Sequence, residues 1–314
     1  MHKSSQLKTK IPVILGATAV GKTELAVALA QKFGYEILSC DSRQIYRHMD
    51  IGTAKPSQDQ LSRAHHWLVD KINPDQLYSA FNFAQDSLEI FRSQHQPGKK
   101  ILICGGSGLY FHTLCSGTVA AEEADMEIRA LLQRRALEGG EDLHRELSGV
   151  DPETASRLHP NDLQRIIRAL GVYYQTGRPL SSQQSSGNPP EDLEFEIMIL
   201  DRSRDELYRR IEIRVDEMVA TGLVEEFQKL RNMGYGEKSP GMVCVGYREL
   251  FAVESGESSF KDAVEKIKQN TRRYAKRQMT WFRNKSTGKH IDMSEGYQKV
   301  FSSLCSILEQ DCAC

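Results

Sequence analysis

The octet Gly16-Ala17-Thr18-Ala19-Val20-Gly21-Lys22-Thr23 has the G-x-x-x-x-G-K-T spacing that wraps a diphosphate. Its glycines let successive backbone N–H groups face one anion, and a helix starting at its end adds positive potential there. Lys22 supplies a compact cation, and the Thr23 hydroxyl is an oxygen ligand suited to Mg²⁺. A second segment, Ile37-Leu-Ser-Cys-Asp41-Ser42-Arg43-Gln44-Ile45-Tyr46, puts a carboxylate directly after an apolar run. Asp41 there is a Walker-B-type ligand of Mg²⁺, a general base for a nucleophile arriving beside the phosphates, or an ordinary helix N-cap. A third, Gly105-Gly-Ser107-Gly-Leu-Tyr110, combines close backbone approach with one hydroxyl.

A basic run occupies residues 268–285, with seven Lys/Arg, no acid, and Tyr274, Trp281 and Phe282 interleaved. Phosphate contacts beside aromatic faces suit looped or single-stranded RNA; the plainer reading is a solvated helix whose rings pack inward. A smaller cluster, Gln164-Arg165-Ile166-Ile167-Arg168, spaces its arginines three apart on one helical face, and Arg210 and Arg214 are four apart on another. The latter spacing suits a helix closing over phosphates as well as an exposed face.

These groups need a scaffold. Short β-branched runs at 11–15, 36–39, 67–70 and 100–104 alternate with helical periods, among them one at about 80–94, which predicts βαβ units and a parallel sheet. In such a sheet the octet, Asp41 and the glycine-rich loop all follow strand carboxyl ends, the edge that faces a ligand crevice. Composition shifts near residue 117. From there only helical periods appear, with starts at Asp151-Pro152 and at His159-Pro-Asn161, until a polar loop at 181–190. The run at 195–200 returns as a buried strand, followed by a capping box from Ser203 to Glu206. The expected fold is therefore α/β, a P-loop NTPase-like parallel sheet flanked by helices with an all-helical insertion. Its expected parts are 1–120, 121–192 and 193–314.

With 314 residues, 39% hydrophobic, the chain is long enough for a full core, and at net charge −1 a polyanion must be met by a local basic patch. No run of 18 apolar residues exists and Met1-His-Lys-Ser-Ser-Gln-Leu-Lys has no apolar leader core, so a cytoplasmic protein is expected. Seven scattered cysteines read as reduced thiols, and Cys312-Ala-Cys314 has no matching second pair.

Taken together, the octet at 16–23, Asp41-Ser-Arg-Gln-Ile-Tyr46, Met49-Asp-Ile-Gly-Thr-Ala-Lys-Pro56, Gly105-Gly-Ser-Gly-Leu-Tyr110, His159-Pro-Asn-Asp162, Val245-Gly-Tyr247 and Lys276-Arg-Gln-Met-Thr-Trp281 resemble the tRNA dimethylallyltransferase family, in family order. Residues 49–56 have no physical role that the sequence alone explains. Ala17 and Val20 stand where the family usually has Pro and Ser, and Ser107 where it usually has Thr. Neither change removes a phosphate-binding N–H, and Ser107 keeps the hydroxyl.

The resemblance implies prenyl transfer from dimethylallyl diphosphate to the N6 amine of the adenosine 3′-adjacent to the anticodon of a tRNA. It implies Mg²⁺ as cofactor, held at Thr23, a diphosphate on residues 16–23, and Asp41, Ser107 and Arg214 as catalytic. By the same resemblance tRNA would be contacted by Asp41, Ser42, Arg43, Gln44, Ser107 and Arg129, and by Gln164, Arg165, Ile166, Ile167 and Arg168. Val243, Cys244, Val245, Gly246, Tyr247 and Arg248 would add to these, with Lys276, Arg277, Gln278, Met279, Thr280, Trp281, Phe282 and Arg283. The expected partners are the anticodon stem-loop and the prenyl diphosphate, with no membrane, and the chain acting as a monomer. Rival readings are an adenylate isopentenyltransferase acting on free nucleotide, a P-loop small-molecule kinase with Asp41 as base, and a non-catalytic RNA-binding protein. A mononucleotide would need neither the basic run nor the insertion, and intact Lys22, Thr23 and Asp41 speak for catalysis.

Overall fold

A computed structural model describes residues 9–93, 100–117, 125–183 and 190–311. The strands are β1 (Thr9–Gly16), β2 (Tyr35–Cys40), β3 (His66–Trp67), β4 (Lys100–Gly105), β5 (Leu193–Asp201) and β6 (Lys289–Asp292). They form one sheet in the order β3-β2-β4-β1-β5-β6. Every pairing is parallel, with Val13 opposite both Ile103 and Ile197 at the centre. Central strands buried on both faces need continuous apolar runs, and Val13, Ile14, Leu38, Leu102, Ile103, Met198 and Ile199 are indeed fully buried.

Between β1 and β4 lie helices α1 (Lys22–Phe33), α2 (Gln58–Arg63) and α3 (Ala80–Ser93). Then follow α4 (Gly108–Ser116), α5 (Met126–Val150), α6 (Pro152–Arg157), α7 (Leu163–Thr176) and α8 (Leu180–Gln183). After β5 come α9 (Arg204–Ala220), α10 (Leu223–Asn232), α11 (Tyr247–Glu254), α12 (Phe260–Lys285) and, past β6, α13 (Tyr297–Asp311).

The chain divides into two compact units, Met1–His112 with Glu191–Cys314, and Thr113–Pro190. The second is all helix among its described residues. Its core is Leu132, Leu143 and Leu147 of α5 against Ile166, Ala169 and Leu170 of α7. The start expected at Asp151-Pro152 is present, with Asp151 capping α6; the one expected at His159-Pro-Asn161 comes slightly later, because those residues form a turn and Asp162 caps α7 at Leu163. Most of the polar loop expected at 181–190, and both Cys312 and Cys314, lie outside the described residues.

Three local expectations are corrected. The strand expected at 67–70 ends at Trp67, because Leu68 and Asp70 take left-handed backbone conformations (φ 62° and 53°) that turn the chain away from the sheet. At α9 only half of the capping box forms: Ser203 accepts from the Glu206 amide, but the Glu206 carboxylate pairs with Arg202 instead. Strand β6 has no counterpart among the expected strands. Only Ile291 of Lys-His-Ile-Asp is buried, so this edge strand carries no apolar period.

Candidate active site

The octet links β1 to α1. Gly21 caps α1 at φ 111°, a conformation natural to glycine. Ala19 also sits in the left-handed region at φ 63°, which curls the loop over its own backbone. Lys22 folds back into that curl, its Nζ donating to Gly16 O at 2.9 Å and Ala17 O at 2.8 Å. Burial pulls the Lys22 ammonium down to about 8, while Cys104 and Asp41 draw it upward. Thr23, in the first turn of α1, is half-buried.

Helix α9 lines the same loop with arginines. Arg202, just before it, donates Nε to Val20 O at 2.9 Å; Arg210 donates Nε to Ala19 O at 2.8 Å; Arg214 donates Nη1 to Thr18 Oγ1 at 3.3 Å. The four-residue spacing thus brings Arg210 and Arg214 to the loop as a pair, and burial lowers the pKa of both guanidinium groups from the ordinary arginine value. They remain charged at any working pH.

Asp41 follows β2 and lies close enough to Lys22 to favour its charged form. Its Oδ1 accepts the Arg43 amide at 2.9 Å, which fixes the carboxylate against the loop. Ser107 follows β4; its Oγ accepts the Ser42 amide at 3.0 Å, and its own amide donates to Cys40 O at 3.1 Å. Gly105 permits that contact, since a Cβ there would stand 2.0 Å from Cys40 O. Burial first, then the Asp41 charge, hold the Tyr274 hydroxyl in its protonated form, and it shares a hydrogen bond with Ser107. The octet, the Asp41 loop and the glycine-rich loop therefore meet at one sheet edge.

Residues 49–56 acquire a physical role from a distant carboxylate. Glu226 of α10, 9% exposed, accepts the backbone amides of Asp50, Ile51 and Gly52 at 2.6–2.9 Å, and the Tyr247 hydroxyl at 2.6 Å. Three successive amides on one carboxylate form a compact anion nest. Gly52 is required because a Cβ would stand 2.5 Å from the Tyr247 ring. Gln44 joins this clasp to the Asp41 loop: its Nε2 donates to Ala54 O at 3.0 Å and its Oε1 accepts from Ser39 at 2.9 Å.

Helix α12 carries the basic run. Its inner side is buried: Gln278 is 7% and Phe282 2% exposed. A Cβ on Gly108 would stand 2.2 Å from the Trp281 ring, which also meets the His112 ring edge-on. Phe282 is thus a core ring, whereas Trp281 is half-buried, packed on Gly108 and bordering the basic outer side. A helix turns every third or fourth residue inward, and Gln278 and Phe282 fall on that side, with Tyr274 and Trp281 half-buried at its margin. The outer side differs, with Lys276, Arg277, Thr280 and Arg283 exposed. An open recess of about 520 Å³ there is lined by Arg273, Lys276, Arg277, Thr280, Trp281, Asn284 and Lys285.

The other expected contacts sort by the same criterion. In the segment before and into α11, Val243 and Arg248 are exposed, Cys244 and Val245 half-buried, and Gly246 and Tyr247 buried. In the all-helical unit Gln164, Arg165 and Arg168 are exposed on α7 and Arg129 on α5, while Ile166 and Ile167 belong to that unit's core. The side chains of Ile166, Ile167, Tyr247, Gln278 and Phe282 are thus packed inside the protein, so an RNA contact at these positions would fall to the backbone. Sequence reading missed Arg202, Glu226 and the bridging use of Gln278; only their contacts reveal them.

No group of three or more His, Cys, Asp or Glu side chains converges among the described residues to hold a metal. The Thr23 hydroxyl beside an anion cradle nevertheless fits a cation such as Mg²⁺, which keeps its waters and takes phosphate oxygens from a substrate. Chemically, the site combines an anion cradle, fixed cations and one carboxylate held next to them.

The model of the IPP transferase family matches residues 44–285. A tRNA dimethylallyltransferase 2 of Geotalea daltonii is 45% identical over 304 residues, 96% of this chain and 92% of that protein. The tRNA dimethylallyltransferase of Thermotoga maritima is 45% identical over 276 residues, 87% of this chain and 89% of that one. Among solved structures, the tRNA isopentenylpyrophosphate transferase of Bacillus halodurans aligns with TM-score 0.71 at 34% identity, covering 96% of each chain. A eukaryotic dimethylallyltransferase acting on tRNA aligns with TM-score 0.73 at 26% identity, over 90% of this chain and 74% of that one.

Proposed function

The chain belongs to the IPP transferase family, and on that premise we propose that it transfers a dimethylallyl group from dimethylallyl diphosphate to the N6 amine of the tRNA adenosine 3′-adjacent to the anticodon, releasing pyrophosphate. The observation that carries the reading is the convergence of Lys22, Asp41 and Ser107 on one sheet edge, with α9 arginines at the same loop. This arrangement uses a P-loop to hold a leaving group rather than to move a phosphoryl group.

The amine nitrogen attacks the allylic C1 of the donor; the C1–O bond breaks and the diphosphate leaves with the electron pair. An adenine amine is a weak nucleophile because its lone pair is delocalised into the ring. Asp41 accepts the proton that the nitrogen must lose, which lowers the barrier as the new bond forms. Lys22 and Arg214 offset the charge that gathers on the departing diphosphate. Thr23 would hold Mg²⁺, and the ion, when bound, would supply further neutralisation of the departing diphosphate. Ser107, anchored on the Ser42 amide, keeps the Asp41 loop against the glycine-rich loop.

The adenine must leave the anticodon-loop stack, at a cost of roughly a few kcal/mol. Exposed cations on the outer side of α12, with Arg248, Arg129, Arg165 and Arg168, grip RNA phosphates and offset it. The backbone around Ser42, Arg43 and Gln44 faces the acceptor. The reading takes the protein to work as a monomer in the cytoplasm; no helix among the described residues is long and apolar enough to cross a membrane. The test is transfer of label from ¹⁴C-dimethylallyl diphosphate, with Mg²⁺, to an anticodon stem-loop in competition with AMP. Label on the RNA supports the reading. Label on AMP alone, or transfer from γ-labelled ATP to an acceptor, overturns it.

A further inference from the structure

One side chain of α12 reaches both loops of the diphosphate side. Gln278 Oε1 accepts the Thr18 amide at 2.9 Å, and its Nε2 donates to Gly106 O at 2.9 Å. Thr18 belongs to the octet and Gly106 to the glycine-rich loop, whose sequence positions are 260 and 172 residues away. The contact leaves no slack, since a Cβ on Gly106 would stand 2.5 Å from Nε2. One partner is an N–H and the other a carbonyl. Only a side chain with an acceptor and a donor at the same distance from the backbone satisfies both, and the carboxamide of Gln meets that demand in one orientation. An ionised Glu accepts but cannot donate, and Met does neither.

We infer that Gln278 is a positioning residue for the diphosphate site: it sets the backbone of Thr18, and through Gly106 it fixes the distance between the octet and the loop bearing Ser107. It does so from the inner side of the helix whose outer side carries Lys276, Arg277 and Arg283. One helix therefore serves two tasks through opposite faces, and Gln278 acts on the prenyl donor, not on RNA. The assignment builds on the proposed prenyl transfer, with residues 16–23 as the diphosphate cradle.

The test uses the full chain with two variants, Gln278→Met and Gln278→Glu. The probes are the non-transferable thiolo analogue of dimethylallyl diphosphate with Mg²⁺, by calorimetry, and an anticodon stem-loop, by gel shift. Loss of one or both hydrogen bonds raises the analogue Kd by about tenfold or more, while the stem-loop Kd stays within about twofold of wild type. Gln278→Glu exceeds Gln278→Met, because it adds negative charge beside an anion. In steady state the KM for the donor rises and that for tRNA does not, a split that general loosening of the fold would not give. If Gln278→Met is unfolded at the assay temperature, Gln278→Glu, which keeps the Thr18 bond, decides. Unchanged analogue affinity in the folded variant, or an equal loss of stem-loop affinity, overturns the inference. A wild type that binds the analogue yet transfers no prenyl group would instead overturn the proposed function and leave this assignment to be read from the binding data.

Discussion

Titrating diphosphate affinity against pH isolates Lys22, because burial lowers its ammonium to about 8 in the free protein. A bound diphosphate needs the ammonium protonated, so above that pH the site must take up a proton as it binds. About nine in ten molecules carry the proton at pH 7 and about one in ten at pH 9. The Kd of the thiolo analogue should therefore rise about tenfold between pH 7 and pH 9, with nearly one proton taken up per ligand at the upper end. The ligand contributes little, since the last ionisation of such a phosphate lies near about 6. The assay is calorimetry in buffers of different ionisation enthalpy, which counts the proton directly. Lys22→Arg is the control, because guanidinium stays charged throughout and its Kd should be flat. The same shift has a consequence for folding. The unfolded chain holds this proton to 10.5 and the folded chain only to about 8, so the Lys22 contribution to stability rises with pH across that window. A wild-type Kd that is flat from pH 7 to 9, or the same slope in Lys22→Arg, would refute the placement of Lys22 as the titrating cation.

Asp41→Asn keeps the shape and removes the proton acceptor, so transfer should slow by about 10²–10⁴-fold with the Mg²⁺ requirement little changed; a large rise in the Mg²⁺ needed for half-maximal rate would show a metal ligand instead. Replacing Lys276, Arg277 and Arg283 together with Gln should reduce the log–log salt slope of tRNA binding by roughly 0.7–0.9 for each phosphate left without its cation, and an unchanged slope would move the RNA grip elsewhere. Trp281→Ala should lower Tm, since that ring packs on Gly108; weaker RNA binding at unaltered Tm would contradict this packing. Glu226→Ala leaves three amides and the Tyr247 hydroxyl without their acceptor. It should destabilise the fold by about 3 kcal/mol or more in denaturant melts, and a cost within measurement error would mean that residues 49–56 hold their shape unaided. Asp151, 1% exposed, has its pKa lowered: burial opposes this, but hydrogen bonds from Ser181 and Thr154 outweigh it. Its contribution is present above the ordinary value of 3.8 and is lost as pH falls through the lowered one; Asp151→Asn should therefore flatten the acid limb of the stability curve.

The parts of the site legible in the sequence are those encoded locally. The octet, Asp41 and the glycine-rich loop each follow a continuous apolar run, and such a run is visible because both faces of a central parallel strand are buried. What escapes a reading of the sequence is encoded at a distance. Residues 49–56 look unconstrained until Glu226, 175 residues after Ile51, is seen to accept their amides. Strand β6 is an edge with one buried side chain, so its pairing with β5 is set by register rather than by composition. The basic run shows its charge but hides its packing, for a related reason. Charge is conspicuous along a sequence, whereas the helical turn that sends Gln278 and Phe282 inward is seen only once the helix has a neighbour. Spacing alone leaves Arg214 open between lid and surface, and the geometry brings it to Thr18.

The central claim is that this site transfers a prenyl group to one adenosine of a tRNA anticodon loop. The direct measurement is nuclease digestion and mass analysis of tRNA incubated with the protein, dimethylallyl diphosphate and Mg²⁺. The account predicts one added prenyl unit, located on the adenosine 3′-adjacent to the anticodon, absent with Lys22→Ala and absent from a tRNA carrying guanosine at that position. Unmodified tRNA alongside prenylated free AMP, or a prenyl group at any other nucleoside, would contradict it.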